Sequence, residues 1–414
     1  MTHASRPDLA AILRAHGAAY LAAHPALSGT QTKAWRAILA CRTAALGGHV
    51  TQCDACGERR HVYHSCRNRH CPQCQTRAKE AWITARSREL LPVPYFHLVF
   101  TVPHALNGWA AHAPRRLYEL LFRAVAETLL EFAADPRHLG GTPAFTLVLH
   151  TWTQQLARHP HLHALMAGGA LTGAGDWVSP RRGFLFPVKA LSKVFRGKFV
   201  AALREEHCRE RRTDQRAETK LDEVQWQALL AALYRHDWVV YAKQPLGAGG
   251  EHGEPAQVLD YLARYTHKTA ISNHRITGLA DETVSFRVRD PQHPKSGRTT
   301  SLPATEFIGR FLTHVLPPGF KRIRHYGLLA SRYKAVKLAA CRALLNVPAP
   351  VPAVIESVAD FMLRVAQVDL SRCSHCASGR LRFVAALAAV RVPLVGVPPV
   401  RASPVSCFAT GPPR

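Results

Sequence analysis

His159-Pro160-His161-Leu162-His163-Ala164-Leu165-Met166 carries two imidazoles flanking one apolar residue. On a β-strand, residues i and i+2 point to the same face. His161 and His163 would then stand side by side and could grip one metal ion. The segment before them supplies a third donor. His150, Trp152 and Gln154 share one parity, so an antiparallel strand there would present them on one face. Gln154 is the favoured third ligand, with His150, or Gln155 in a shifted register, as alternatives. Two imidazoles and an amide oxygen leave coordination positions for a phosphate oxygen. Imidazole suits ions softer than Mg²⁺, so Mn²⁺ fits the donors and Mg²⁺ is the abundant substitute.

About a hundred residues on comes Asp260-Tyr261-Leu262-Ala263-Arg264-Tyr265-Thr266-His267-Lys268. Pro255 is well placed to open a helix here. In a helix, Tyr261 and Tyr265 lie at i,i+4 on one face. A phenol, with a pKa near ~10, is a weak nucleophile at neutral pH. A metal on a phosphodiester would neutralise charge and align the group for attack. The tyrosine would then become a covalent phosphotyrosine that conserves the bond for rejoining. Two tyrosines permit two strand transfers in sequence. Arg264 and Lys268 follow along the same helix and could hold flanking phosphates. Without the histidines, the tyrosines would read equally well as core aromatics.

Composition points the same way. The 414 residues allow two or three domains, and 47% hydrophobic residues can fill large cores. A formal net charge of +26 favours a polyanionic partner, DNA above all, and the basic residues are spread along the chain rather than confined to a tail. The amino terminus lacks a basic-then-apolar signal pattern. No apolar run reaches membrane-spanning length. Eleven cysteines then imply metal binding in a reducing, cytoplasmic setting rather than disulfides.

Cys53-Asp54-Ala55-Cys56 and Cys71-Pro72-Gln73-Cys74 are two CxxC knuckles. Two knuckles complete a tetrahedral, structural zinc site from Cys53, Cys56, Cys71 and Cys74. Four thiolates leave no open position, so this metal would not be catalytic. His61, His64, Cys66 and His70 could replace one thiolate or build a second site. Arg67 and Arg69, with other arginines nearby, make DNA contact the expected role of the unit. A third knuckle, Cys373-Ser374-His375-Cys376, lacks an obvious partner and reads as truncated or vestigial, although Cys407 and His375 could help it bind zinc.

Periodicity organises the rest. Residues 1–92 read as helices plus the zinc unit. Residues 93–290 interleave strands, over 95–102, 145–152, 161–171, 238–242, 271–276 and 284–289, with helices, including an amphipathic helix over 114–134 and a charged helical insertion over 188–236. This is an α+β or α/β core. Residues 291–380 form a basic carboxy-terminal region with a helix over 330–345, and 381–414 read as a disordered tail rich in Pro, Val and Ala.

Taken together, Ser65 through Gln75, Phe96 through Pro103, His150-Thr151-Trp152 with the histidine pair, Tyr261-Leu262-Ala263-Arg264-Tyr265 and Arg324 through Ala330 resemble the two-tyrosine HUH transposases, the rolling-circle insertion-sequence transposases of the IS91 type. The resemblance spans roughly residues 30 to 345. It implies an amino-terminal zinc domain for DNA recognition and an α+β HUH endonuclease core with a central antiparallel sheet. It also implies nicking and joining of single-stranded element ends through a 5′-phosphotyrosine, with His161 and His163 as metal ligands and Tyr261 and Tyr265 as nucleophiles. A rolling-circle replication initiator or plasmid relaxase would use the same motifs, and a non-catalytic zinc-dependent DNA-binding protein would bind without cleaving. The tail after Arg380 matches nothing in the family pattern.

Overall fold

The computed structural model describes residues 6–181, 184–213, 221–246, 258, 270–290, 297–350 and 356–390. The chain forms two compact units, each assembled from separated stretches: Met1–Gln73, Ser272–Val315 and Asp369–Arg414 in the first, Cys74–Ile271 and Leu316–Val368 in the second.

The first unit opens on helix Leu9–Ala23, whose Asp8 side chain caps the Ala11 amide, and helix Gly29–Ala40, which starts in a reciprocal capping box between Ser28 and Gln31. Helix Ala304–Leu312 packs on the first of these, bringing Gly309 against the ring of Tyr20. Leu9 N–H also donates to the Asn273 side chain, and the Gln31 amide donates to the Leu312 carbonyl. Strands Ile276–Ala280, Thr283–Arg289 and Gly297–Pro303 form a meander in this unit. Residues 272–290 therefore do not continue the core expected over 93–290. Their apolar side chains, Ile276, Val284 and Phe286, are buried, and Phe286 meets Phe307 edge to face.

A second three-stranded sheet of this unit runs in the order Leu381–Leu387, Gly48–Cys53, Arg59–Tyr63. The far end of the chain thus pairs antiparallel with the amino-terminal module, Gly48 opposite Leu387 and Cys53 opposite Leu381. The disordered tail expected from 381 onward is incorrect for 381–387. Backbone pairing along an otherwise open strand edge outweighs the low-complexity composition.

The second unit is built on an antiparallel sheet ordered Ile323–Gly327, Gly141–Trp152, Arg158–Thr172, Tyr95–Thr101, Val240–Leu246, with the short strand Trp177–Val178 paired to Arg158–Thr172. Alternation separates its two faces. Leu98, Phe100, Leu147, Leu149, Leu162, Ala164 and Met166 share one buried cluster with Leu117, Leu121, Val125 and Leu129 of helix Pro114–Ala134 and with Phe195 and Phe199 of helix Val188–Thr213. Each of the large side chains contributes ~1.5–3 kcal/mol by leaving water, which fixes the register and turns the intervening residues to the opposite face. The expected α+β architecture with a central antiparallel sheet is the observed one.

Candidate metal and DNA-processing site

The residues turned away from that apolar face make the site. In the register of the sheet His150 lies directly opposite His161, Val99 opposite His163, and Thr101 opposite His161. His97, two residues before Val99, falls on the same face, as do Tyr241, paired to Val99, and His325, paired to Thr146. Adjacent strands lie ~4.8 Å apart, so imidazoles from neighbouring strands converge. One nitrogen from each of His150, His161 and His163 lies within 4.8 Å of the others. The His150 ring meets those of His161 and His163 at 5.5 and 4.4 Å between centroids.

Hydrogen bonds orient these rings. His161 Nδ1–H donates to the His159 carbonyl at 2.7 Å, so its lone pair is on Nε2. His163 Nδ1 is hydrogen-bonded to His97 Nε2 at 2.9 Å, and a ring engaged through Nδ1 ligates through Nε2. His97 is 5% exposed and His150 4%, so both are held rigidly. Burial pushes His161 down to about 4, against the hydrogen bond to the His159 carbonyl, which raises it, and this keeps the ring neutral and able to ligate at physiological pH. Three convergent, oriented imidazoles fit a transition-metal ion better than Mg²⁺.

Gln154, favoured from face parity, lies in the turn after strand Gly141–Trp152. Strand Gly141–Trp152 ends before it, and His150, the alternative on the same parity, lies with the histidine pair. Tyr261, Tyr265, Arg264 and Lys268 lie outside the described residues.

The cysteines are sorted differently from the expectation. Cys53, Cys56, Cys71 and Cys74 do not form one quartet. Cys71 and Cys74 cluster with Cys41 and Cys66, while Cys53 and Cys56 cluster with Cys373 and Cys376; within each group the sulfur atoms lie within 4.8 Å of one another. Local backbone explains the first group. Helix Gly29–Ala40 ends at Cys41, Cys71 N–H donates to the Asn68 carbonyl at 3.0 Å, and Cys74 caps helix Gln75–Ser87. The Asn68 amide donates to Cys66 Sγ at 3.5 Å, the bond that orients a thiolate in a knuckle. The sequence itself offers Cys66 as a ligand. It does not offer Cys41, because no spacing rule relates a residue at a helix end to a knuckle 30 residues away. Of the arginines expected at DNA, Arg67 is exposed and takes a left-handed backbone, φ 52°, while Arg69 is half-buried, which lowers its pKa by desolvation. Among the described residues no helix is long and apolar enough to cross a membrane.

One unit carries a histidine-bearing antiparallel sheet and the chain also carries two cysteine clusters, donor sets of the kind that hold metal ions. Residues 12–102 match the family model "Transposase zinc-binding domain", and residues 144–337 match the model "Putative transposase". The protein "Putative transposase y4qJ" of Sinorhizobium fredii (strain NBRC 101917 / NGR234) is 44% identical over 384 residues, 91% of this chain and 94% of that protein. "Transposase for insertion sequence element IS801" of Pseudomonas savastanoi pv. phaseolicola is 27% identical over 86% of this chain and 83% of its own. Among solved structures, the conjugative relaxase TrwC in complex with oriT DNA, in its metal-bound form, is 14% identical over 62% of this chain and 73% of its own, with a TM-score of 0.22, too loose a likeness to carry an argument. The chain belongs to the IS91-type transposases.

Proposed function

We propose that this transposase nicks and rejoins single-stranded DNA through a tyrosine-linked intermediate at the histidine face of its larger sheet. The observation that carries the reading is the convergence of His150, His161 and His163 on that face, while the opposite face packs into the core. Tyr261 Oη attacks the scissile phosphorus; the new P–O bond makes a 5′-phosphotyrosine, the bond to the 3′ oxygen breaks, and the phenolic proton passes by way of solvent to that oxygen to give a 3′-hydroxyl. Tyr265 repeats the step on a second strand. A divalent ion held by the three imidazoles, Mn²⁺ by donor type, would neutralise phosphate charge and stabilise the leaving oxygen. His97 positions His163, and the His159 carbonyl positions His161. Arg264 and Lys268 hold flanking phosphates, and Arg67 and Arg69 of the zinc-binding domain contact DNA. The overall charge of +26 supports a polyanionic substrate.

Labelled single-stranded element ends incubated with protein and Mn²⁺ test this on a denaturing gel. A covalent adduct should form, vanish in the Tyr261→Phe/Tyr265→Phe double variant, and map by mass spectrometry to those tyrosines. Tyr241 is the competing nucleophile, since it lies on the same face and is 55% exposed. An adduct that survives the double change and vanishes with Tyr241→Phe would overturn the assignment. DNA binding with no adduct at all would favour a non-catalytic DNA-binding protein.

A further inference from the structure

We infer that Cys53, Cys56, Cys373 and Cys376 form a second structural zinc site, distinct from the Cys41–Cys66–Cys71–Cys74 cluster, that clasps the far end of the chain onto the amino-terminal module. Neither matched family segment reaches Cys373 or Cys376.

The geometry is that of two facing knuckles. Cys53 Sγ lies 3.7 Å from Cys376 Sγ, and Cys56 Sγ lies 3.8 Å from Cys373 Sγ. Four sulfurs at about 2.3 Å from a zinc ion occupy tetrahedron corners about 3.8 Å apart. A disulfide would bring sulfurs to about 2.05 Å, and all four cysteines are free.

The two knuckles repeat one backbone design. Cys56 N–H donates to Cys53 Sγ at 3.5 Å, and His375 N–H donates to the equivalent first sulfur, Cys373 Sγ, at 3.4 Å. Gly57 N–H bonds the Cys53 carbonyl, and Ala377 N–H bonds the Cys373 carbonyl, each at 3.1 Å. Cys53 and Cys373 each donate an amide at 2.9 Å to the residue that closes the loop, Glu58 and Gly379. Both turns use a left-handed residue, Gly57 at φ 74° and Ala377 at φ 59°. Non-glycine residues rarely adopt that conformation, so Ala377 holds a strained backbone for a ligand-presenting turn.

The halves also lock to each other. Asp54 N–H donates to the Arg380 carbonyl at 3.0 Å, and Arg380 N–H returns a bond to Asp54 Oδ1 at 2.7 Å. A side chain at Gly379 would collide with Cys53 Sγ. Strands Gly48–Cys53 and Leu381–Leu387 extend from the two knuckles as an antiparallel pair. Metal ligation and strand pairing thus close the same loop, so the amino-terminal module is finished only once residues 373–387 have been made.

Metal analysis of the full-length protein, expressed with zinc and freed of catalytic-site metal by brief weak chelation, tests the inference. Two zinc ions per chain are expected. Cys53→Ser/Cys56→Ser and Cys373→Ser/Cys376→Ser should each remove one, and the quadruple variant should also remove only one. Retention of both ions by Cys373→Ser/Cys376→Ser would overturn the site. If the variants do not fold, alkylation of the wild-type protein during stronger chelation gives the answer. Cys53, Cys56, Cys373 and Cys376 should become reactive together, at a rate separate from that of Cys41, Cys66, Cys71 and Cys74. Exposure of Cys373 and Cys376 well before Cys53 and Cys56 would sink the proposal.

Discussion

His97 and His163 sit on adjacent antiparallel strands with Nε2 and Nδ1 2.9 Å apart and their rings stacked within 12° of parallel. His97 is not among the three convergent imidazoles, yet it sets which nitrogen His163 can offer. Loss of such a partner commonly weakens metal affinity about 10- to 100-fold. His97→Leu should weaken Mn²⁺ binding by that order in titration calorimetry, while His97→Gln, which keeps a hydrogen-bonding group, should recover part of it. Equal affinities for Leu and Gln would show that His97 only fills space.

The third ligand is decided by a comparison of neighbours. His150→Ala should abolish tight Mn²⁺ binding and the DNA adduct, because it removes one of three donors within 4.8 Å. Gln154→Ala should leave both within about twofold, since the side chain lies in the exposed turn. The opposite ranking would return the third position to the amide.

His325 makes stability depend on pH. Its Nδ1 is hydrogen-bonded to Thr146 Oγ1 at 2.9 Å, and Arg86 Nη1 donates to its Nε2 at 3.0 Å. Burial first, then the charges of Arg86 and Lys334, push it down to about 4. The unfolded chain, with an ordinary value near ~6.5, therefore takes the proton first. The stabilisation is complete above that value and is lost as pH falls toward 4. Thermal melts between pH 7 and 4 should show a steeper acid decline for the native protein than for His325→Gln. Parallel curves would exclude His325 as a source.

Gly327 ends strand Ile323–Gly327 at φ 61° and lets Leu328 N–H reach the Pro143 carbonyl at 2.8 Å. A Cβ there would meet that same carbonyl. Gly327→Ala should cost roughly 2 kcal/mol or more in denaturant unfolding, combining left-handed strain with displacement of the strand end. A change under about 0.5 kcal/mol would mean that the edge strand yields freely.

Much of this was legible in the residues alone. The helix over 114–134, the strands holding His150, His161 and His163, and the shared face of the last two follow from periods of 3.6 and 2, which depend only on local geometry. So does the knuckle character of each CxxC. What linear order could not reveal is which knuckle faces which. Cys53 finds Cys376 across 323 positions, Cys41 joins Cys71, and residues 272–315 fold with the amino-terminal helices. Thiolate convergence and strand-edge pairing are contacts between distant segments, settled by the packing of whole units. Local propensity specifies the pieces and the face each side chain takes. Only the assembled backbone brings particular donors within bonding reach.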